Sequence, residues 1–301
     1  MDSKMNAWTW GLLVLLGLIW GGSFFFARIA VQHVPPLTLV FLRLLLAALA
    51  LHVYIAGRLD IYSIFKARWR EFLILGVINN VLPHALIFFG QTRIGAGLAA
   101  ILNATTPIWT VLIANYLTSD EKLSSAKIAG CLVGLLGTIV LVGPGISTGS
   151  EAPLWALLFP VLAAVSYGFA ATYGKRFKGV PAAVTAAGQL TASSLIALPL
   201  SLLADRPWAL TIPPLEVLLA ILALALLSTA FAYILYFRVI ATAGATNASL
   251  VTLLVPPSAI LLGVLFLRER LSLSEFAGMA LIGFGLVILD GRAYRLLAKP
   301  A

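Results

Sequence analysis

Asn80, His84 and Gln91 are residues whose types and spacing suggest chemistry. The second and third lie four and eleven positions beyond the first, within an apolar run, so on an α-helix they share one face. A histidine between two amides can donate and accept hydrogen bonds toward a polar ligand. Aligning Gly95 with Gly244 brings Tyr233 to the place of His84 and Thr229 to that of Asn80. Tyr236 and Trp109 could supply aromatic walls for an apolar or aromatic ligand. Arg43 stands seven residues past Pro36, about 10 Å into its apolar run at the helical rise. A cation there needs a ligand carboxylate, or backbone carbonyls, as partner. Gln189 takes the same place when Pro35 is matched to Pro181. The plainer role of every one of these groups is hydrogen bonding or packing between helices.

Other chemistries lack their residues. His33, His52 and His84 are far apart, Cys131 is alone in an apolar run, and no HExxH or CxxC spacing occurs. No catalytic residue, metal site or cofactor is therefore expected. No P-loop is present, so direct ATP drive is not expected either. None of the 11 acidic residues lies deep inside an apolar run. A proton relay through buried carboxylates is then missing, and proton coupling would fall to His84. Downhill or potential-driven movement of a solute is the favoured expectation.

These residues must be positioned by helices in a bilayer. The chain is 61% hydrophobic and only 10% charged, with a mean hydropathy of +1.04, whereas soluble domains carry about 25% charge. Ten apolar segments are read, at 8–30, 37–56, 71–91, 97–117, 126–142, 154–174, 182–203, 217–240, 245–267 and 275–289. Their length excludes an outer-membrane barrel. The first is read as a retained helix, since it exceeds a signal peptide's apolar region and leads straight into a second span. The net charge of +9 sits in loops, which points to topology and not to nucleic acid. Ten spans put both termini on one side. Lys4, the Arg58–Arg70 cluster, Lys122, Lys127 and Lys175–Lys178 lie on that side and outnumber Arg28, Arg93, Arg206, Arg268 and Arg270 opposite. Both termini are thus expected in the cytoplasm.

One stretch occurs twice. GAGLAAILNATTP followed by DEKLSSAKIAG returns as GATNASLVTLLVP followed by RERLSLSEFAG. Gly95 to Pro107 and Gly244 to Pro256 are both twelve residues, as Glu121 to Gly130 and Glu269 to Gly278 are both nine. The expectation is two homologous halves, 1–147 and 148–301, of five spans each. An odd number of spans inverts the second half, which puts a solute site near the bilayer midplane between them. Glu121 and Glu269 are expected to favour the dipole of the helix that each precedes. Gly130, Gly134 and Gly137 form a face for close packing. Pro107 and Pro256 free the carbonyls of Asn103 and Thr252, for the cavity or for Ser and Thr hydroxyls.

WGGSFFFARIAV (Trp20–Val31), the Pro-Pro and Arg-containing span that follows, and the two Pro…Glu-x-Leu-Ser…Gly copies resemble the EamA family of the drug/metabolite transporter superfamily. The resemblance implies a ten-helix inner-membrane carrier, two inverted five-helix repeats around a central cavity. It adds Trp20, Ser166 and Tyr167, at equivalent places in the first span of each half, as cavity candidates. Characterised relatives mostly export amino acids, YddG-like members aromatic ones, and neighbouring branches move sugars, nucleotide sugars or drugs. The expected function is a secondary transporter that exports amino acids or related metabolites across a bacterial inner membrane by alternating access. The expected partners are a small-molecule substrate and the lipid bilayer, with the protein as monomer or homodimer. A carrier or channel for other solutes, and a non-transport membrane subunit, stay open.

Overall fold

A computed structural model describes residues 6–57, 60–146, 152–258 and 273–290. Glu269 with its RERLS turn, the division at 147/148, and Lys4, Arg58, Arg268, Arg270, Arg292, Arg295 and Lys299 lie outside the described residues. The described residues are helical, with no strand among them. The order is α1 (Ala7–Ala30), α2 (Pro36–Ile55), α3 (Ile61–Gly76), a π-turn (Val77–Val81), α4 (Leu82–Gln91), α5 (Ala96–Asn103), α6 (Thr106–Leu117), α7 (Ser125–Ile146), α8 (Leu154–Gly174) and α9 (Ala182–Ala204). Then come α10 (Leu215–Ala225), a second π-turn (Leu226–Phe231), α11 (Ala232–Ser249), a helical segment over 251–258, and a last helix, Leu273–Asp290. Seven helices or continuous helical stretches among the described residues are long and apolar enough to cross a membrane, and α7 and the last helix add shorter apolar stretches. This is a multi-pass membrane protein. Leu49, Val53, Leu195 and Leu219 are among the large apolar side chains left exposed on its outside, as contact with lipid requires.

Local chemistry sets the helix ends. Asn6 caps α1, its side chain accepting from the Thr9 amide at 2.8 Å. Asp60 caps α3 through the Ser63 amide at 3.1 Å. The third span begins about ten residues earlier than its hydropathy suggested, because Ile61–Arg70 forms a charged helical lead-in that bends at Arg68. Pro107 has no amide hydrogen, and the helix breaks at Ala104 and Thr105 just before it. The Asn103 carbonyl freed there accepts from the Thr106 hydroxyl at 2.6 Å, so a hydroxyl of the same chain satisfies it.

The core is built from pairs that are distant in sequence. α2 packs on α9, α4 and α6 on α8, α1 on α10 and α11, and α7 on the last helix. α9 is buried almost all round from Ala183 to Leu190. Gly188 lets it approach Phe72, where an added Cβ would fall 2.5 Å from the ring. The expected glycine face on α7 is used. A Cβ on Gly137 would meet the Ile282 amide at 2.7 Å, and one on Gly285 the Gly134 amide at 2.7 Å.

Glu121 corrects its expectation. Its carboxylate does not serve the helix that follows it. It accepts from the amides of Ala245 and Thr246, at 2.9 and 2.8 Å. These are the first free amides behind Gly244, whose φ of 84° turns the chain in the left-handed region. Lys175, at the end of α8, lies 3.0 Å from the same carboxylate and 2.6 Å from Asp120. Glu121 thus caps a helix start 124 residues away. Asp205 acts alike at the start of α2, accepting from the Thr38 amide at 2.6 Å.

Burial alone would raise the Glu121 carboxyl, but Thr246, Lys175 and Ala245 together hold it below the ordinary glutamate value. A carboxyl lowered in the folded state stabilises fully above its unfolded pKa and loses that contribution as pH falls through the folded value. Glu121→Gln should therefore cost about 1–2 kcal/mol at pH 7, the usual worth of a charged cap. The gap to wild type should narrow below about pH 4.3, the ordinary glutamate value. Thermal melts of both proteins in detergent across pH check this, and a gap that stays constant to pH 3 would contradict it.

Candidate functional site

A cavity opens inside the bundle, walled by α1, α2, α4, α8, α11, the break at Asn103 and Thr106 just before Pro107, and the chain after Gly244. It holds about 700 Å³ of empty space, open solvent included. Tyr236 and Thr252 both line it, yet on one continuous helix they would stand about 24 Å apart. The chain therefore doubles back at Gly244.

Two π-turns shape the interior. A π-turn widens the helix and leaves carbonyls without their usual i+4 partner. In lipid those carbonyls need donors from elsewhere. At the first turn, Ser166 donates to the Ile78 carbonyl at 2.6 Å and Tyr233 to the Asn79 carbonyl at 3.2 Å. At the second, the Trp20 indole donates to the Ser228 carbonyl at 3.0 Å. Arg43 reaches the same carbonyl at 3.4 Å and gives its Nε–H to the Thr229 hydroxyl at 2.7 Å. Asn79 in turn donates to Gln189 at 3.0 Å.

Of the residues singled out by sequence, Trp20, Arg43, His84, Tyr167, Tyr233 and Tyr236 line the cavity together. Trp20 sits 5.4 Å from Tyr236 and 6.3 Å from Tyr233, ring centre to ring centre. His84 stacks on Phe88 one turn along α4, and the Arg43 guanidinium lies 5.8 Å from the Phe88 ring. Three residues are placed elsewhere: Asn80, Trp109 and Ser166, whose hydroxyl is spent on the Ile78 carbonyl. Asn80 donates to Ser193 on α9 at 2.8 Å, and Asn79 lines the cavity in its stead. The extra residue of the π-turn rotates the face, so the spacing that joins Asn80 to His84 and Gln91 on a regular helix fails there. Trp109 points its indole N–H at Thr105, and its backbone is pressed against Gly168 of α8.

Several lining groups escaped the sequence reading as site residues. Gln91 shares the expected polar face with His84, whereas the sequence marks Asn103 only through its backbone carbonyl at the Pro107 kink. Gln91 Oε1 and Asn103 Oδ1 are buried acceptors without a partner among the described residues, and His84 Nδ1 is a buried ring nitrogen equally without one. Gln91 is fixed by its Nε2 donating to the Phe24 carbonyl at 3.0 Å, while Arg28 donates to its backbone oxygen. Among the described residues no group of three or more His, Cys, Asp or Glu could hold a metal ion. The arrangement can offer hydrogen bonds, one cation and an aromatic wall to a small molecule.

The EamA-like transporter family matches twice, over residues 8–143 and 154–289. The uncharacterized transporter YoaV of Bacillus subtilis is 25% identical over 279 residues, covering 91% of this chain and 94% of its own. The uncharacterized inner membrane transporter YedA of Escherichia coli K12 is 26% identical over 294 residues, 96% of this chain and 93% of its own. Protein PagO of Salmonella typhimurium is 28% identical over 247 residues, 81% and 80% of the two chains. A crystal structure of 22% identity superposes with a TM-score of 0.78, covering 97% of this chain and 99% of that one. At that identity the likeness speaks for the fold alone.

Tyr233→Phe keeps the ring and removes the donor to the Asn79 carbonyl. It should cost about 1–2 kcal/mol, the penalty of a buried acceptor left unanswered. Ser166→Ala should cost a similar amount at the Ile78 carbonyl. Melting of the purified variants in detergent checks both, and unchanged melting would mean that these carbonyls find other donors.

Proposed function

Because the chain belongs to the EamA-like transporter family, we propose that it is a secondary transporter that exports amino acids or related small metabolites across the inner membrane. The observation that carries this reading is the cavity itself. A lipid-facing helical bundle holds, at its centre, a space lined by Arg43, His84, Gln91 and the Trp20, Tyr233 and Tyr236 rings. A purely structural interior would be filled with apolar side chains or with satisfied polar pairs. The aromatic wall suits a substrate with an aromatic or apolar part.

The architecture we infer is ten membrane helices in two inverted halves, 1–147 and 148–301, with both termini cytoplasmic. The doubled sequence stretch and the double family match support it. So does a correspondence inside the bundle. The π-turns at Val77–Val81 and Leu226–Phe231 begin 149 residues apart, the offset that aligns Gly95 with Gly244. Arg43 contacts the second turn as Gln189 contacts the first.

The mechanism we infer is alternating access. The loop after α6, the end of α8 and the turn at Gly244 meet through Glu121 and Lys175. By the distribution of basic residues this side is cytoplasmic. The cavity residues Ala27 and Gln91 stand near helix ends that lead to the opposite side. Opening toward the cytoplasm would then require the Glu121 contacts to part while the two halves rock about the cavity.

The test is counterflow in proteoliposomes of the purified full chain. One unlabelled amino acid at a time is loaded inside, and entry of a labelled one is followed without an ion gradient. Exchange of a subset is expected, lowered about tenfold or more by His84→Ala and by Tyr233→Ala at normal expression, in line with a lost contact of about 1.4 kcal/mol or more. No exchange for any of the amino acids sinks the amino-acid assignment and turns the search to sugars, nucleosides and cationic drugs.

A further inference from the structure

Arg43 is buried, its residue 5% exposed, and it lines the cavity. Among the described residues no carboxylate lies within ion-pair distance of it. It meets the Thr229 hydroxyl, the Ser228 carbonyl and the Phe88 ring, and His84, Tyr167 and Tyr233 line the same cavity. The described acids are engaged elsewhere or sit at helix ends. Glu121 and Asp120 meet Lys175, Asp205 caps α2, Asp60 caps α3, and Glu71 and Glu216 stand at the margins.

A buried cation without a counter-charge is costly, so its charge calls for a reason. Bracing the π-turn is not one. At the equivalent place on α9, the uncharged amide of Gln189 meets the first π-turn, accepting from Asn79. Bracing therefore needs a polar side chain and no charge. The guanidinium also has capacity left over. It carries five N–H donors, and the contacts to Thr229 and Ser228 engage Nε and Nη2. The planar remainder suits an anion with two oxygens.

We propose that Arg43 is the specificity-determining residue of the cavity, anchoring a carboxylate of the substrate so that organic anions and zwitterions are taken and organic cations refused. The inference rests on the cavity being the transport site and adds which chemical class enters it. The substrate's far end then meets the unpartnered acceptors Gln91 Oε1 and Asn103 Oδ1, which suit N–H or O–H donors, and its body lies against the Trp20 and Tyr236 rings.

The experiment compares four probes that share one ring: 3-phenylpropionate, its neutral amide 3-phenylpropanamide, phenylalanine, and phenethylamine. Binding to the purified full chain is read by thermal shift and titration, and exchange by counterflow. Wild type should bind the two carboxylates at least tenfold tighter than the amide, and the amine least of all. Arg43→Gln, which copies the solution found at Gln189, should lose at least tenfold in affinity for both carboxylates and clearly less for the amide, so that the acid-to-amide ratio falls toward one. Arg43→Lys, which keeps the charge, should retain an intermediate preference. If Arg43→Gln does not fold, the acid-to-amide ratio in wild type and in Arg43→Lys decides alone. The proposal is overturned if the amine or the amide binds as well as the acid, if Arg43→Gln leaves carboxylate binding intact, or if no carboxylate of a wider size series binds. Arg43-dependent binding without counterflow would defeat the transport reading and leave the anchor standing. Counterflow of cations or neutral solutes that ignores Arg43→Gln would do the reverse.

Discussion

A carbonyl released inside a bilayer has no water to turn to, and the interior of this protein is arranged around that constraint. The two π-turns release such carbonyls at the centre of the bundle. Trp20, Ser166, Tyr233 and Arg43 answer them from other helices. Three of those four side chains, Trp20, Tyr233 and Arg43, also wall the cavity. The same atoms therefore hold the helices in register and define the site. A substitution at one of them acts on both, and loss of activity alone does not separate the roles.

The small residues make the second half of the arrangement possible. Donors reach the π-turn carbonyls only because backbones come close. Gly76 sits against Ser193 and Gln189, and Gly188 against Phe72. The network is nearly two-fold in its places and not in its chemistry. Arg43 and Gln189 hold corresponding positions, one charged and one neutral. The charge lies in the cavity beside Phe88, whereas the Gln189 amide is spent on Asn79 behind the cavity wall.

Much of this was legible in the sequence. Hydropathy marked the chain as a multi-pass helical membrane protein, and matching Gly95 with Gly244 paired Asn80 with Thr229, which both stand in a π-turn. Glycine spacing on α7 marked the face on which the last helix lies. Family membership followed from short motifs in both copies. The rest was hidden for physical reasons. VINNV offers two adjacent asparagines, and only the extra residue of the π-turn decides that Asn79 and not Asn80 faces inward. Trp109 has the composition of a wall residue, but its place is fixed by the close approach of α8 at Gly168. Glu121 stood out as a motif residue, yet a motif carries no address. Its carboxylate prefers two amides freed by the turn at Gly244, which no local pattern around residue 121 announces.

That contact has a consequence for how the protein is made. Glu121 leaves the ribosome 124 residues ahead of the amide it caps, an interval of about 6–25 s at ordinary synthesis rates. During that time Glu121 has Lys175 as a partner once the end of α8 is made, but not the amides of Ala245 and Thr246. The loop is closed only when the chain has passed Gly244. The contact between the loop after α6 and the turn at Gly244 is thus one of the later ones that synthesis allows. Two polypeptides divided anywhere between α7 and α8 would carry complementary ends of one contact, a carboxylate on one and two bare amides on the other, and with them a means of finding each other in the plane of the bilayer.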